Sequence, residues 1–384
     1  MASVMLGLVL STTGVDADAA PTGGPAGGTN GRVGRIPCNN SPDLCARQYN
    51  HISHLGAHNS AFVRDASNNN SIAGNQYLNA TTALDAGLRL LQAQVHLEND
   101  TLHLCHGSCQ LFDAGLLQHW LAPLTKWLDE NPNDVVTLLL VNADEQPAEQ
   151  FGHAFEASGL AEYGYVQPSP GATNQWPTLE AMIAAGTRLV SFITNIEPSP
   201  SHAYLLNEFD YVFETHYAVT ELDGFNCTLD RPTNVGDAAA ALTSSYLSLV
   251  NHFKYQELGA GIMVPDVELL DIVNSPGATT DGNLGLHVQR CTAEWTWTPN
   301  FILVDFWDEA GPIAAVDDLN VLSDVTGRRT VSRETTPEEE AEESGKGGDD
   351  DGDGDGESAA NRDAAMVSYY VLSATCLAGA LMLV

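Results

Sequence analysis

Basic side chains are scarce in this 384-residue chain: 15 Lys and Arg stand against 50 Asp and Glu, for a formal charge of −35. Part of the excess is local. Residues 334–357 carry twelve acids against Lys346 alone, a net of −11, which leaves −24 on the remainder. Nucleic-acid recognition needs a basic patch that displaces counterions from phosphates, so nucleic acid is excluded as a partner. Docking on anionic lipid by charge is excluded on the same ground. Nucleotide motifs are also missing: there is no GxGxxG and no P-loop. No period of 20–50 residues recurs, which removes solenoids and propellers. What is present is apolar bulk: 43% hydrophobic residues, enough for one large domain with a real core.

Cysteines number seven. Cys38, Cys45, Cys105, Cys109, Cys227 and Cys291 lie in the body, and Cys376 lies in an apolar tail. Removing the tail leaves an even count, which reads as a disulfide framework, most simply Cys38–Cys45, Cys105–Cys109 and Cys227–Cys291. Six cysteines allow 15 connectivities, and six free buried thiols are the alternative. A zinc site is not indicated, because Cys105-x3-Cys109 has no second Cys/His pair at finger-like spacing. Five Asn-x-Ser/Thr sequons, at Asn39, Asn69, Asn79, Asn99 and Asn226, add an expectation of glycosylation.

The ends carry targeting signals. Residues 1–19 are small and apolar and close on Ala17-Asp-Ala19, the form of a signal peptide without its basic start. Residues 20–36 form a Gly/Pro-rich leader, and 328–358 form an acidic, Gly-rich linker expected to be disordered. Small residues follow Ser358, then an apolar stretch to Val384 with no basic stop. That order fits a GPI signal with Ser358 at the attachment site; a C-terminal membrane helix is the alternative. The expected location is extracellular, secreted and GPI-anchored at the plasma membrane or cell wall, as a monomer.

Between the ends, over 37–327, strand and helix signals alternate. Strands are expected at 52–57, 88–98, 101–106, 135–141, 188–194, 210–217 and 301–306. Helices are expected at 81–87, 114–130, 148–158, 178–186, 238–255 and 311–325. The run Val135-Val-Thr-Leu-Leu-Leu-Val141 is apolar throughout, as a strand buried on both faces must be. Residues 88–98 alternate instead: Gln92, Gln94 and His96 share one face, Leu91, Ala93, Val95 and Leu97 the other. Helices would cover the apolar face, and the polar face would point into a barrel mouth. The pattern predicts an α/β fold with a parallel sheet, of TIM-barrel type, with an open doubly wound sheet as the other possibility.

Chemistry concentrates at strand ends. His54-Leu-Gly-Ala-His58-Asn59-Ser60 is one apolar approach to titratable groups, and Leu102-His-Leu-Cys-His106-Gly107 is a second. Two histidines on successive strand ends suit a base and an acid acting on one substrate. The alternative is two polar residues left from an ancestral site. Asn142, Glu214 and Asp305 end other expected strands.

His58-Asn59-Ser60, Gly87-Leu-Arg-Leu-Leu-Gln92-Ala-Gln94-Val95 and Leu104-Cys-His106-Gly107 together resemble the X-domain of phosphatidylinositol-specific phospholipases C. With Cys38-Asn-Asn-Ser-Pro-Asp-Leu-Cys45 at the entry, the resemblance narrows to fungal secreted PLC-like phosphodiesterases, over roughly residues 38–325. It implies a distorted TIM barrel and a phosphodiesterase acting on an inositol phospholipid or glycolipid. His58 would deprotonate the attacking hydroxyl and His106 would protonate the leaving oxygen, with Asp305 orienting His58. Asn59, Gln92, Gln94, Asn142 and Glu214 would contact substrate. The family's charges are missing. Calcium-dependent members use acidic residues where Gln92 and Gln94 stand, and calcium-free members use an Arg near Gln94 and an Asp where Asn59 stands. No cofactor is therefore expected, since a hard cation wants carboxylates. A barrel that binds a head group or glycan without turnover is the alternative function.

Overall fold

The computed structural model describes residues 36–259 and 261–333. The expected signal peptide, residues 20–35 of the leader, Ser358 and the apolar tail lie outside these residues. The described chain runs β1 (His54–Ala57), α1 (Ala80–Asp85), β2 (Leu90–Glu98), β3 (Thr101–Cys105), β4 (Asp113–Leu116), α2 (Leu117–Glu130), β5 (Val136–Asn142) and α3 (Ala148–Ser158). It continues α4 (Leu179–Ala185), β6 (Leu189–Ile193), β7 (Leu205–Asn207), β8 (Val212–Thr215), β9 (Leu229–Arg231), α5 (Ala238–Thr243) and β10 (Leu247–Asn251). A hairpin of β11 (Tyr255–Glu257) and β12 (Met263–Pro265) follows, then α6 (Leu270–Val273), α7 (Leu284–Trp295), β13 (Phe301–Val304) and α8 (Ile313–Leu319).

Parallel pairing runs β7-β6-β5-β2-β1-β13-β10-β8, a curled TIM-type sheet, with β9 antiparallel on β8. No ladder joins β7 to β8 among the described residues; Glu208 sits in the turn at that seam. Period-two alternation sorts the side chains into two layers. Leu138, Leu140, Ile302 and Val304 face outward into a layer shared with Leu121, Phe151 and Val288 of the helices. Leu139, Phe192, Phe301 and Leu303 face inward and pack with Tyr49 and Trp176, so the barrel interior is a filled core. At the C-terminal strand ends this apolar filling gives way to buried polar groups: His58, Gln92, Glu214, Asn251 and Asp305.

Several expectations change. The expected helix 238–255 is α5 followed by β10. Ser245, in the left-handed region at φ 67°, breaks the alanine-rich helix, and Leu247–Asn251 is then buried along its whole length as a central strand. Residues 113–116 are strand, and α7 and β7 carry no matching expectation. The three disulfides are Cys38–Cys45, Cys105–Cys109 and Cys227–Cys291.

Two corrections concern the surface. Asn39 is only 2% exposed and its Oδ1 accepts from Val135 N–H, so this fold leaves no room for a glycan there. Asn69, Asn79, Asn99 and Asn226 are exposed. Residues 328–333, expected in a disordered linker, pack on the barrel: Arg328 pairs with Asp317, Arg329 with Asp85, and Arg333 with Asp308 and Glu309. No described helix is long and apolar enough to cross a membrane.

Candidate active site

His58 leaves the end of β1, and its backbone N–H still donates to Val304 O of β13. Its ring is buried, and Nδ1 lies 2.7 Å from Asp305 Oδ1. The carboxylate accepts the Nδ1 hydrogen and leaves Nε2 as the ring's available base. Phe253 stacks on the ring at 3.7 Å between centroids and 2° between planes, which blocks tilting. Asn75 Nδ2 donates to Asp305 Oδ1 at 3.0 Å. Gln76 Nε2 donates to the His58 and Val304 carbonyls at 2.6 and 3.1 Å. The carboxylate and the backbone of His58 are thus fixed by one short segment, Asn75-Gln76, and the ring by Phe253.

His106 follows β3 and is held differently. Its Nδ1–H donates to the Ala73 carbonyl at 2.6 Å, and its ring stacks near Phe62. The backbone bond sets the tautomer, so Nε2 carries the lone pair, 3.4 Å from Asn59 Nδ2. Burial drives the His106 imidazole down from 6.5 to about 4, and neighbouring His58 adds to that, against weaker support from Ala73 O and Asp305. In the ligand-free site His106 is neutral at pH 7.

Asn59 joins the two arms. Its φ is 48°, a conformation Asn tolerates better than most residues. Its backbone N–H donates to Gln92 Oε1 at 2.6 Å, while its own Oδ1 is buried without a partner. Gln94 Oε1 accepts from Gly107 N–H at 2.9 Å, next to His106. The paired glutamines of β2 therefore brace the two histidine loops, one each. This also tests calcium. Asn59, Gln92 and Gln94 supply no carboxylate, and both glutamine oxygens are already occupied by backbone N–H groups. The set does not fit a hard dication that needs several free, charged oxygens.

The other expected residues sit apart from the histidines. Asn142 folds its amide onto its own loop: Nδ2 donates to Gln146 O at 2.9 Å and Oδ1 accepts from Gln146 N–H at 2.8 Å. Glu214 is buried against Arg231, Oε2 to Nη2 2.6 Å, and Asn251 Nδ2 also reaches it at 3.3 Å. Burial and the Glu214 charge hold neighbouring Glu208 well above the usual carboxylate range. Arg231 lies over the Tyr217 ring at 4.5 Å. Sequence reasoning missed Asn75, Gln76, Phe253 and Arg231. The first two lie just beyond the polar loop 68–74, where composition marks a rim but assigns no partner. Phe253 follows the strand misread as helix, and Arg231 belongs to a three-residue strand too short to register.

Comparison with known proteins shows the family. The family model described as PI-PLC X 1 matches residues 44–320. A protein of Arthroderma benhamiae named PI-PLC X domain-containing protein 1 is 36% identical over 287 residues, covering 74% of this chain and 90% of its own. A second from the same fungus, named as an uncharacterized secreted protein, is 37% identical over 276 residues. That alignment covers 71% of this chain but only 60% of the relative. Among solved structures, phosphatidylinositol-specific phospholipase C from Listeria monocytogenes aligns with a TM-score of 0.48 at 17% identity, covering 72% of this chain and 95% of its own. The family match over residues 44–320 defines the class as a barrel with a phosphodiesterase-like fold. The chain belongs to the PI-PLC X-domain family.

Proposed function

We propose that this protein is a secreted phosphodiesterase that cleaves an inositol phospholipid or glycolipid without a metal ion. The observation that carries the reading is the buried His58–Asp305 pair, 2.7 Å, joined through Asn59 to a second histidine. His58 Nε2 takes the proton from the attacking hydroxyl as its oxygen bonds to phosphorus. His106 Nε2, once protonated, gives its proton to the leaving oxygen as the phosphorus–oxygen bond breaks. Asp305 holds Nδ1–H and shares the charge His58 gains. The substrate supplies what His106 lacks: a phosphodiester anion beside the ring favours the imidazolium that burial disfavours. Rotating the Asn59 amide would present its unpartnered Oδ1 to that imidazolium. Glu214 and Arg231 form a polar pair suited to hydroxyl groups of a polyol. Secretion follows the name of the A. benhamiae relative, the three disulfides and the exposed sequons. The C-terminal signal makes GPI anchorage part of the reading.

A second reading, head-group or glycan binding without turnover, is favoured by two observations. Both glutamines on β2 are committed to backbone N–H groups, and His106 is neutral when free. Cleavage of phosphatidylinositol by the purified protein, in chelator and in calcium, tests the two. Activity that survives chelation supports the first reading. Binding of inositol phosphate without cleavage supports the second.

A further inference from the structure

The residues that fix His58 and Asp305 come from the segment Asn75-Gln76-Tyr77. Asn75 holds Asp305 and its carbonyl accepts from Phe306 N–H; Gln76 Oε1 accepts from Trp307 N–H at 3.2 Å; the Tyr77 ring meets Phe306 at 4.4 Å. The loop after β13 needs that support, because Phe306 and Ala310 both take positive φ, 43° and 52°. On the outer side of this corner lies one residue from far along the chain. Arg333 places its guanidinium 4.1 Å over the Tyr77 ring, Nε 3.0 Å from Asp308 Oδ2 and Nη2 against Glu309 Oε1.

We propose that Arg333 is a positioning residue for the candidate active site: a strap over residues 327–333, acting through this arginine, clamps the 305–310 loop to Tyr77 and so holds Asp305 against His58. The inference rests on the catalytic reading for its kinetic consequence but not for its structural one. Three observations carry it. The strap is anchored along its length, with Gly327 N–H on Asn40 O, Arg329 N–H on Asp85 O, and Arg328 paired in two bonds with Asp317. Three of the chain's 15 basic residues fall within 328–333, an allocation a merely solvated tail would not need in so acidic a protein. Finally, the Asp308 side chain is 9% exposed, its Oδ1 has no partner, and Arg333 is the cation facing it. Burial pushes the Asp308 carboxyl up while Arg333 pulls it down. The charged and titratable groups at this corner are Arg333, Asp308, Glu309 and Tyr77, with the Asp305–His58 pair one step inward. Removing Arg333 strands a buried carboxylate two residues after the loop's left-handed turn begins.

The test compares Arg333→Gln, Arg333→Lys and the double variant Arg333→Gln/Asp308→Asn in the full chain. Amide hydrogen exchange over 75–77 and 304–310 should quicken in R333Q and stay near wild type in R333K. It should recover in the double variant, where no unpaired charge is left. For phosphodiester cleavage, kcat should fall about ten- to a hundredfold with KM little changed, since misplacing a catalytic group acts on turnover. The R333Q loss should shrink as pH falls, because a protonated Asp308 tolerates burial. Exchange and cleavage in R333Q equal to wild type would overturn the proposal. So would quickened exchange that the double variant fails to recover. If no variant, nor wild type, cleaves, the catalytic reading fails and the exchange data alone decide the strap.

Discussion

The two histidine arms share a ring type and a neighbourhood, yet the protein treats them differently. His58 receives a carboxylate, a stacked phenyl ring and hydrogen bonds from two amide side chains at its backbone and its partner. His106 receives one backbone carbonyl, a neutral amide and the more distant Phe62 ring, and no carboxylate. A carboxylate both orients a ring and shares the charge it gains; a carbonyl and an amide orient without neutralising. The two rings are therefore suited to different protons. On the proposed reading His58 is equipped to accept one, and His106 becomes protonated only when an anion beside it stabilises the imidazolium.

The largest expected effect comes from removing the charge on the His58 side. Asp305→Asn should lower kcat by on the order of a thousandfold or more in steady-state assays, because the amide leaves the tautomer and charge of His58 unsupported. His106→Ala should lose about a hundred- to ten-thousandfold on a lipid substrate. It should recover much of that on an aryl phosphodiester, whose leaving group needs no proton. Equal losses on both substrates would break the assignment of base and acid.

Asn59→Asp is the direct test of the asymmetry. An anion within hydrogen-bond reach favours the imidazolium, so the His106 midpoint, about 4 in the wild type, should move up by about one to three pH units in an NMR titration. Inositol phosphate added to wild type should move it the same way. A smaller effect is expected for the braces: Gln94→Ala frees the Gly107 N–H, and Gln92→Ala strands the buried Asn59 N–H at about 1–3 kcal/mol. Thermal unfolding should show the second loss more clearly than the first.

Stability should also depend on pH in a defined direction. Burial lowers both His54 and His106 from 6.5 to about 4. The unfolded chain therefore binds protons at these rings before the folded one does. Stability should be full above about pH 6.5 and should fall as pH drops toward 4. A melting temperature flat across that window would contradict the buried, neutral state of the two rings.

Much of this was legible before the fold. Alternation in 88–98 separated Gln92 and Gln94 from Leu91, Ala93 and Val95, and the structure puts the first two on the histidine loops and the others in the helix-covered layer. The apolar runs behind β5 and β13 were equally plain, because a strand buried on both faces leaves no polar interruption. Local reasoning failed where the partner is remote in sequence. Asp305 and Asn75 are 230 residues apart, and their bond follows from the pairing of β1 with β13 rather than from any spacing. It also failed where two elements share one composition, as in the alanine-rich α5 that runs into β10. Asn39 shows the same limit: its sequon is intact, and only the packing of Val135 against it excludes the glycan.

On the proposed reading the His58–Asp305 pair performs metal-free phosphodiester chemistry. The most direct measurement is cleavage of phosphatidylinositol vesicles by the purified protein in chelator and in calcium, beside His58→Ala. Cleavage should proceed in chelator, unchanged by calcium, and be lost in the variant. Cleavage only with calcium, or none above the variant under either condition, would contradict it.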